Sequence, residues 1–233
     1  MNQQIYLALD FPDYPTAEQF LENNELVGVP VKVGMELFYR EGWPMIEKLK
    51  SRNHSIFLDL KLHDIPTTVE RAMKNLAGLD VDFVNVHALG GSEMIKSAKE
   101  GLVAGGAKRT KLLAVTILTS MNERQMQREL GIEKSLKKQV TNLSSLSQKN
   151  GADGVVCSVH EVATIKNVCG DDFLTMTPGI RLADSSSDDQ KRIATPKKAK
   201  QLGTDFLVIG RSITKAENPL EAYEHAVKEL TES

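Results

Sequence analysis

The 233 residues are 41% hydrophobic and 26% charged, a balance that excludes gross disorder and suits a large single domain or two small ones. Basic residues (29) nearly cancel acidic ones (31), leaving a formal charge of -2 and no overall field to draw the chain onto nucleic acid or an anionic membrane. No apolar run approaches the ~20 residues that span a bilayer, the start Met1-Asn2-Gln3-Gln4-Ile5 lacks the order of a secretory signal, and Cys157 and Cys169 form neither a disulfide framework nor a metal-ligand spacing, which points to a reduced cytoplasm.

The predicted elements alternate. A first strand, Ile5–Asp10, precedes a helix opened by the capping-box pattern Thr16-Ala17-Glu18-Gln19. Further short, β-branched runs follow at Val31–Met35, Ile56–Lys61, Phe83–His87, Leu112–Leu118, Gly154–Ser158 and Phe173–Thr177. The long intervals 87–112 and 118–154 are helical in pattern, not linker-like. Thr195-Pro196 and Asn218-Pro219 each set a capping side chain before a proline at the first helical position. Gly203 stops the helix Pro196–Leu202, and Phe206–Gly210 is the eighth strand. Continuous apolar strands of this kind belong to a parallel sheet covered on both faces. Eight β–α units without an interdomain break predict an α/β fold, a (β/α)₈ TIM barrel, as one domain over 1–233. An open dinucleotide-binding sheet would carry a glycine-rich turn after strand one, where this chain has Asp10-Phe11-Pro12-Asp13.

In such a barrel the functional residues lie at the C-terminal ends of strands. In Phe57-Leu58-Asp59-Leu60-Lys61-Leu62-His63-Asp64 the two-residue period puts Leu58, Leu60 and Leu62 on one face, toward the helices. Asp59 and Lys61 then point into the barrel mouth, joined by Lys32 from strand two and Asp10 from the end of strand one. Isolated ion pairs are ordinary surface features, but so many charges converging at one barrel end are costly to bury without a task. A lysine flanked by two carboxylates stays protonated, which makes it a poor Schiff-base nucleophile and a good fixed cation or general acid. That suits a reaction building negative charge on a substrate carbon that then takes a proton.

A second constellation follows strands seven and eight, Thr177-Pro178-Gly179-Ile180-Arg181 and Ile209-Gly210-Arg211-Ser212. Loops after these strands commonly bind phosphate, with glycines admitting close backbone approach and arginines adding forked contacts. The polar stretch between them, Leu182–Gln190, reads as a lid. A metal site built from His63 and His87 with Asp59 or Asp64 is disfavoured by the Lys61 ammonium and by the want of a close His/His pairing. Cys157 reads as barrel packing, Trp43 as core or interface filler, and Arg124, Arg128, Lys134, Lys137 and Lys138 as a solvated face.

Asp59-Leu60-Lys61-Leu62-His63-Asp64-Ile65-Pro66 resembles the D-x-K-x-x-D signature of the orotidine 5′-phosphate decarboxylase family. The likeness extends through Ala8–Phe11, Val31–Glu36, Val84–His87, Thr116–Ser120, the PGIR of 178–181 and the IGRS of 209–212. The resemblance implies conversion of orotidine 5′-phosphate to UMP and CO₂ in pyrimidine biosynthesis, with no metal or organic cofactor and no nucleic-acid or membrane partner. It implies Lys61 as proton donor, with Asp59, Lys32 and Asp64 completing a charge network, and a homodimer in which Asp64 enters the other subunit's site. Asp10 and Lys32 then hold the ribose with Asp64 and Thr68 of the partner chain, Ile65 contacts substrate, Thr119 lies near the pyrimidine, Gln190 reaches between base and phosphate, and Arg181, Gly210 and Arg211 bind phosphate. The alternatives are a metal-dependent sugar-phosphate decarboxylase or epimerase on the same barrel, and a non-catalytic nucleotide-phosphate binding module.

Overall fold

The computed structural model describes residues 4–182 and 192–231. Among them eight parallel strands close into a barrel in chain order: β1 (Ile5–Ala8), β2 (Val31–Gly34), β3 (Ile56–Leu62), β4 (Phe83–His87), β5 (Lys111–Val115), β6 (Gly154–Val156), β7 (Leu174–Thr177) and β8 (Phe206–Ile209). Helices cover the outside: α1 (Tyr14–Asn23), α2 (Met35–Glu41), α3 (Trp43–Ser51), α4 (Pro66–Ala77), α5 (Gly91–Ala104), α6 (Glu123–Leu130), α7 (Leu136–Lys149), α8 (Val162–Cys169), α9 (Pro196–Gln201), α10 (Arg211–Thr214) and α11 (Pro219–Thr231). This is the TIM barrel expected from the alternation. No helix of the described residues is long and apolar enough to cross a membrane.

Several strands stop short of their apolar runs: β1 ends at Ala8 instead of Asp10, and β5 at Val115 instead of Leu118. The polar residues beyond them are therefore loop residues at the rim. Helix α1 begins before the Thr16 capping box. Asp13 is its cap, accepting the Thr16 N–H at 2.9 Å, with Pro15 in the first turn. The other two expected caps form, Thr195 accepting from Lys198 N–H at 3.2 Å and Asn218 from Glu221 N–H at 3.3 Å.

Side chains alternate between two cores. Leu58 and Leu60 join the layer between strands and helices, as the leucine face of β3 requires. Inside the barrel Tyr6, Phe57, Phe83 and Phe206 meet edge-on at centroid separations of 5.0–6.3 Å. This geometry is favoured by the ring quadrupoles, and it plugs the barrel below the mouth. At the opposite end from the mouth, the aspartates preceding β4, β6 and β8 each fasten the strand before. Asp82 accepts from Ile56 N–H at 2.7 Å, Asp153 from Leu112 N–H at 2.8 Å and Asp205 from Thr175 N–H at 2.7 Å.

Helices α4 and α5 touch backbone to backbone. A Cβ at Gly101 would lie 2.2 Å from the Glu70 carbonyl oxygen, and one at Gly105 2.4 Å from that of Lys74. No side chain fits at either position, and α4, which begins just after β3, is held close against its neighbour.

Candidate active site

The end of β3 departs from a regular strand. Its pairing with β4 runs Phe57 to Phe83 and Leu58 to Val84, then resumes at Leu62 opposite Val86, so a step of four residues faces a step of two. This bulge sets Lys61 at φ 52, a left-handed conformation uncommon for a residue with a side chain. Asn85, in β4 opposite the offset and only 1% exposed, fills the gap. Its Oδ1 accepts the Lys61 N–H at 2.7 Å and its Nδ2 donates to Asp59 Oδ1 at 2.6 Å.

From there four charged side chains run across the mouth. Lys61 Nζ donates to Asp59 Oδ1 at 2.6 Å, Lys32 Nζ lies 3.6 Å from Asp59 Oδ2, and the same Nζ donates to Asp10 Oδ1 at 3.0 Å. The lysine between two carboxylates is thus Lys32, with Lys61 at the end of the row. Exposure is graded along it: the Lys32 and Asp59 side chains are 11% exposed, Lys61 25% and Asp10 64%. Burial pushes the Asp59 carboxyl up, but Lys32, Lys61 and the hydrogen bonds from Lys61 and Asn85 outweigh it and hold the group below the usual carboxylate range. Burial pulls Lys32 down, but Asp59 and Asp10 together raise it above the ordinary lysine value. Both groups are therefore ionised at neutral pH. Gly34 protects this row, because a Cβ there would come within 3.2 Å of Lys32 Nζ.

The second constellation lines the same cavity, of about 240 Å³, as the first. Asp10, Lys32, Asp59 and Lys61 share its wall with Gly179, Arg181, Gly210 and Arg211, with Thr119 near the end of β5 and Phe57 from the aromatic plug also lining it. After β7 the chain turns at Gly179, whose φ of 79 suits glycine. Arg181 follows, its N–H bonded to the Ala194 carbonyl at 2.9 Å. Gly210 caps β8 before the short helix α10 starts at Arg211.

Other residues fall elsewhere. Asp64, Ile65 and Thr68 are exposed around the N-terminus of α4 and do not line the cavity of their own chain. Asp64 Oδ1 accepts the Ile65 N–H at 2.7 Å. Gln190 and the expected lid beyond Leu182 lie outside the described residues. Arg192 pairs with Glu161 and donates to the carbonyls of Ile117 and Leu118 at 3.0 and 3.1 Å, which ties it to the loops after β5 and β6. Sequence reading singled out neither partner, for nothing in the spacing of residues 31 apart signals a contact. Asn85 falls within the family-like stretch Val84–His87, but one polar residue in FVNVH fits ordinary alternation and carries no sign of its contacts.

The His63 and His87 rings do pair, at a centroid separation of 5.5 Å, contrary to expectation. Burial, with His63 and Lys61 nearby, lowers His87 and keeps it neutral. Among the described residues no three His, Cys, Asp or Glu groups converge as a metal site, and cations already flank Asp59 on both sides. Burial pushes the Cys157 thiol up to about 12, which removes it as a nucleophile.

Residues 3–226 match a family model described as orotidine 5′-phosphate decarboxylase / HUMPS family. The chain is 57% identical over 226 residues to an orotidine 5′-phosphate decarboxylase of Bacillus cereus (strain AH187), covering 96% of this chain and 95% of the relative. It is 56% identical over 227 residues to that of Bacillus cytotoxicus, with the same coverage. Among solved structures, orotidine 5′-phosphate decarboxylase from Lactobacillus acidophilus superposes with a TM-score of 0.88 at 44% identity, over 99% of this chain and 100% of the other. An uncharacterized conserved protein from Geobacillus kaustophilus gives 0.85 at 45% identity, over 97% and 100%.

Proposed function

The chain belongs to the orotidine 5′-phosphate decarboxylase / HUMPS family, and from that premise we propose how its residues divide the work. The reaction is loss of CO₂ from orotidine 5′-phosphate to give UMP, in pyrimidine biosynthesis. The observation carrying the proposal is the unbroken Asp10–Lys32–Asp59–Lys61 row lining one cavity together with the two Gly/Arg loops.

The phosphate binds at Arg181, Gly210 and Arg211, with Gln190 reaching between phosphate and base, and the ribose hydroxyls bind at Asp10 and Lys32. Thr119 then lies beside the pyrimidine, and C6 meets Asp59 and Lys61. Asp59 is ionised and buried, so it disfavours a second carboxylate at its side, and loss of neutral CO₂ removes that carboxylate and shifts its negative charge to C6, beside the Lys61 ammonium. The C6–carboxylate bond breaks with its electron pair left on C6. The Lys61 ammonium stabilises the developing carbanion and gives C6 a proton from Nζ, forming the C6–H bond of UMP. Solvent returns a proton to Lys61. Binding energy from the phosphate end, far from C6, supports this step.

No metal ion or organic cofactor enters the scheme. The test follows loss of orotidine 5′-phosphate absorbance with excess chelator present, and the expected result is turnover at the rate seen without it. Loss of activity, restored by a divalent ion, would assign the site to a metal-dependent sugar-phosphate enzyme of the same barrel type.

Asp64, Ile65 and Thr68 act in a second copy of the chain, within a homodimer with shared sites. Two observations support this: they are exposed and away from their own cavity, and apolar side chains remain exposed on the elements after β2, β3 and β4, namely Met35, Tyr39, Trp43, Ile65 and Leu89. Mixing inactive Asp64→Asn and Lys61→Ala subunits then restores activity, since one intact site forms in each heterodimer. No recovery despite demonstrated subunit exchange would refute sharing. The free, buried thiols of Cys157 and Cys169 accord with a cytoplasmic setting.

A further inference from the structure

We propose that Asn85 is a positioning residue that sets the Asp59–Lys61 pair, one end of its amide holding the Lys61 backbone and the other orienting the Asp59 carboxylate. The assignment rests on the reading of Asp59 and Lys61 as the reacting pair. Asn85 does not line the cavity, so it acts through its neighbours. It is the sole polar residue within β4 between Phe83 and Val86, its side chain is fully enclosed, and both bonds are short, 2.7 Å to Lys61 N–H and 2.6 Å to Asp59 Oδ1. The amide cannot be turned over. Reversed, it would set NH₂ against the Lys61 N–H and a carbonyl against a carboxylate.

Each bond meets a need created by the bulge. Where a step of four residues in β3 faces a step of two in β4, Lys61 takes its left-handed φ of 52, and its N–H is met by a side-chain carbonyl. Such a conformation persists only where its surroundings enforce it. On the other side, Asp59 Oδ1 receives both Lys61 Nζ and Asn85 Nδ2, which leaves Oδ2 turned toward Lys32. Only a side chain with an acceptor and a donor at fixed separation serves both groups. Leucine would strand a buried N–H and a carboxylate lone pair, and aspartate would offer a second negative charge.

That difference supplies the test. Position 85 faces Asp59 and Lys61 from β3, with Lys32 and Asp10 beyond, and His87, against His63, lies two residues on. From β5 its register partner is Leu113. In Asn85→Asp the new carboxyl and Asp59 share one proton, because two carboxylates this close cannot both ionise readily. The singly protonated pair reproduces the amide's acceptor and donor, and loss of that proton drives Asp59 away.

Turnover of orotidine 5′-phosphate and binding of UMP are measured for wild type, Asn85→Ala and Asn85→Asp across pH. In Asn85→Ala kcat falls by ~10²-fold, the scale of a small misplacement of reacting groups, while UMP affinity holds within about threefold. In Asn85→Asp kcat is near wild type at the acid end and falls by about tenfold per pH unit above the second ionisation of the pair, where the wild-type profile is flat. Should Asn85→Ala fail to fold, the isosteric Asn85→Asp profile decides alone. A profile for Asn85→Asp that parallels wild type, or kcat and UMP affinity falling together in Asn85→Ala, overturns the role. Wild type failing to turn over orotidine 5′-phosphate would instead overturn the functional reading itself.

Discussion

Lys61→Ala lowers turnover of orotidine 5′-phosphate by at least ~10⁴-fold and leaves UMP binding within about threefold of wild type. Proton transfer by a positioned group contributes ~10²–10⁴ on its own. In the proposed scheme the same ammonium also faces the carbanion before the proton moves, so its removal takes away an electrostatic contribution of comparable size. The fold survives the change for identifiable reasons. Asp59 keeps Lys32 at 3.6 Å and Asn85 at 2.6 Å, so no buried carboxylate is left without a partner. Alanine at φ 52 asks the same of the backbone as lysine does, so the bulge is held as before. UMP, which lacks the departing carboxylate and already carries the C6 proton, makes little use of Nζ. The measurement is single-turnover conversion beside calorimetric binding of UMP. Activity near wild type would remove Lys61 from the proton-donor role, whatever became of binding.

Arg211→Ala acts elsewhere in the same cavity and divides ligands differently. It weakens UMP by ~10²-fold, as expected for a charge-assisted contact to phosphate, and leaves uridine unchanged. In the proposed scheme phosphate binding supports the chemical step, so kcat for orotidine 5′-phosphate falls as well as affinity. Equal losses for UMP and uridine would show that Arg211 shapes the cavity generally and does not read the phosphate.

Much of the site was legible in the sequence because its residues obey strand alternation and sit at strand ends. Asp59 and Lys61 follow from the leucines on either side of them, Lys32 from the valines beside it, and Gly210-Arg211 from its position after the last apolar run. What escaped notice depends on contacts between strands. The offset between β3 and β4 is a property of their pairing and leaves no mark in either segment, so Asn85 looked like a lone polar residue. Gly34 reads as a strand end until the Lys32 ammonium is seen beside it. Asp82, Asp153 and Asp205 look like turn residues until each is found receiving the N–H of the preceding strand. The start of α1 was misjudged for a local reason: Thr16 fits a capping pattern, yet Asp13 and Pro15 form a better one three residues earlier.

The glycine contact between α4 and α5 bears on assembly. Gly101 and Gly105 leave no long side chain at the contact that could compress or rotate, only the Ala77 methyl beside Gly105. The first turn of α4, with Asp64 and Ile65 immediately before it and Thr68 within it, is therefore carried by a rigid strut. In the proposed dimer each copy offers its partner side chains whose backbone has already been ordered by its own folding. Association then freezes only a few rotamers, and little of its free energy is lost to arranging a loop. In that proposed dimer, two backbone carbonyls and two missing Cβ atoms would preorganise a site in a different molecule.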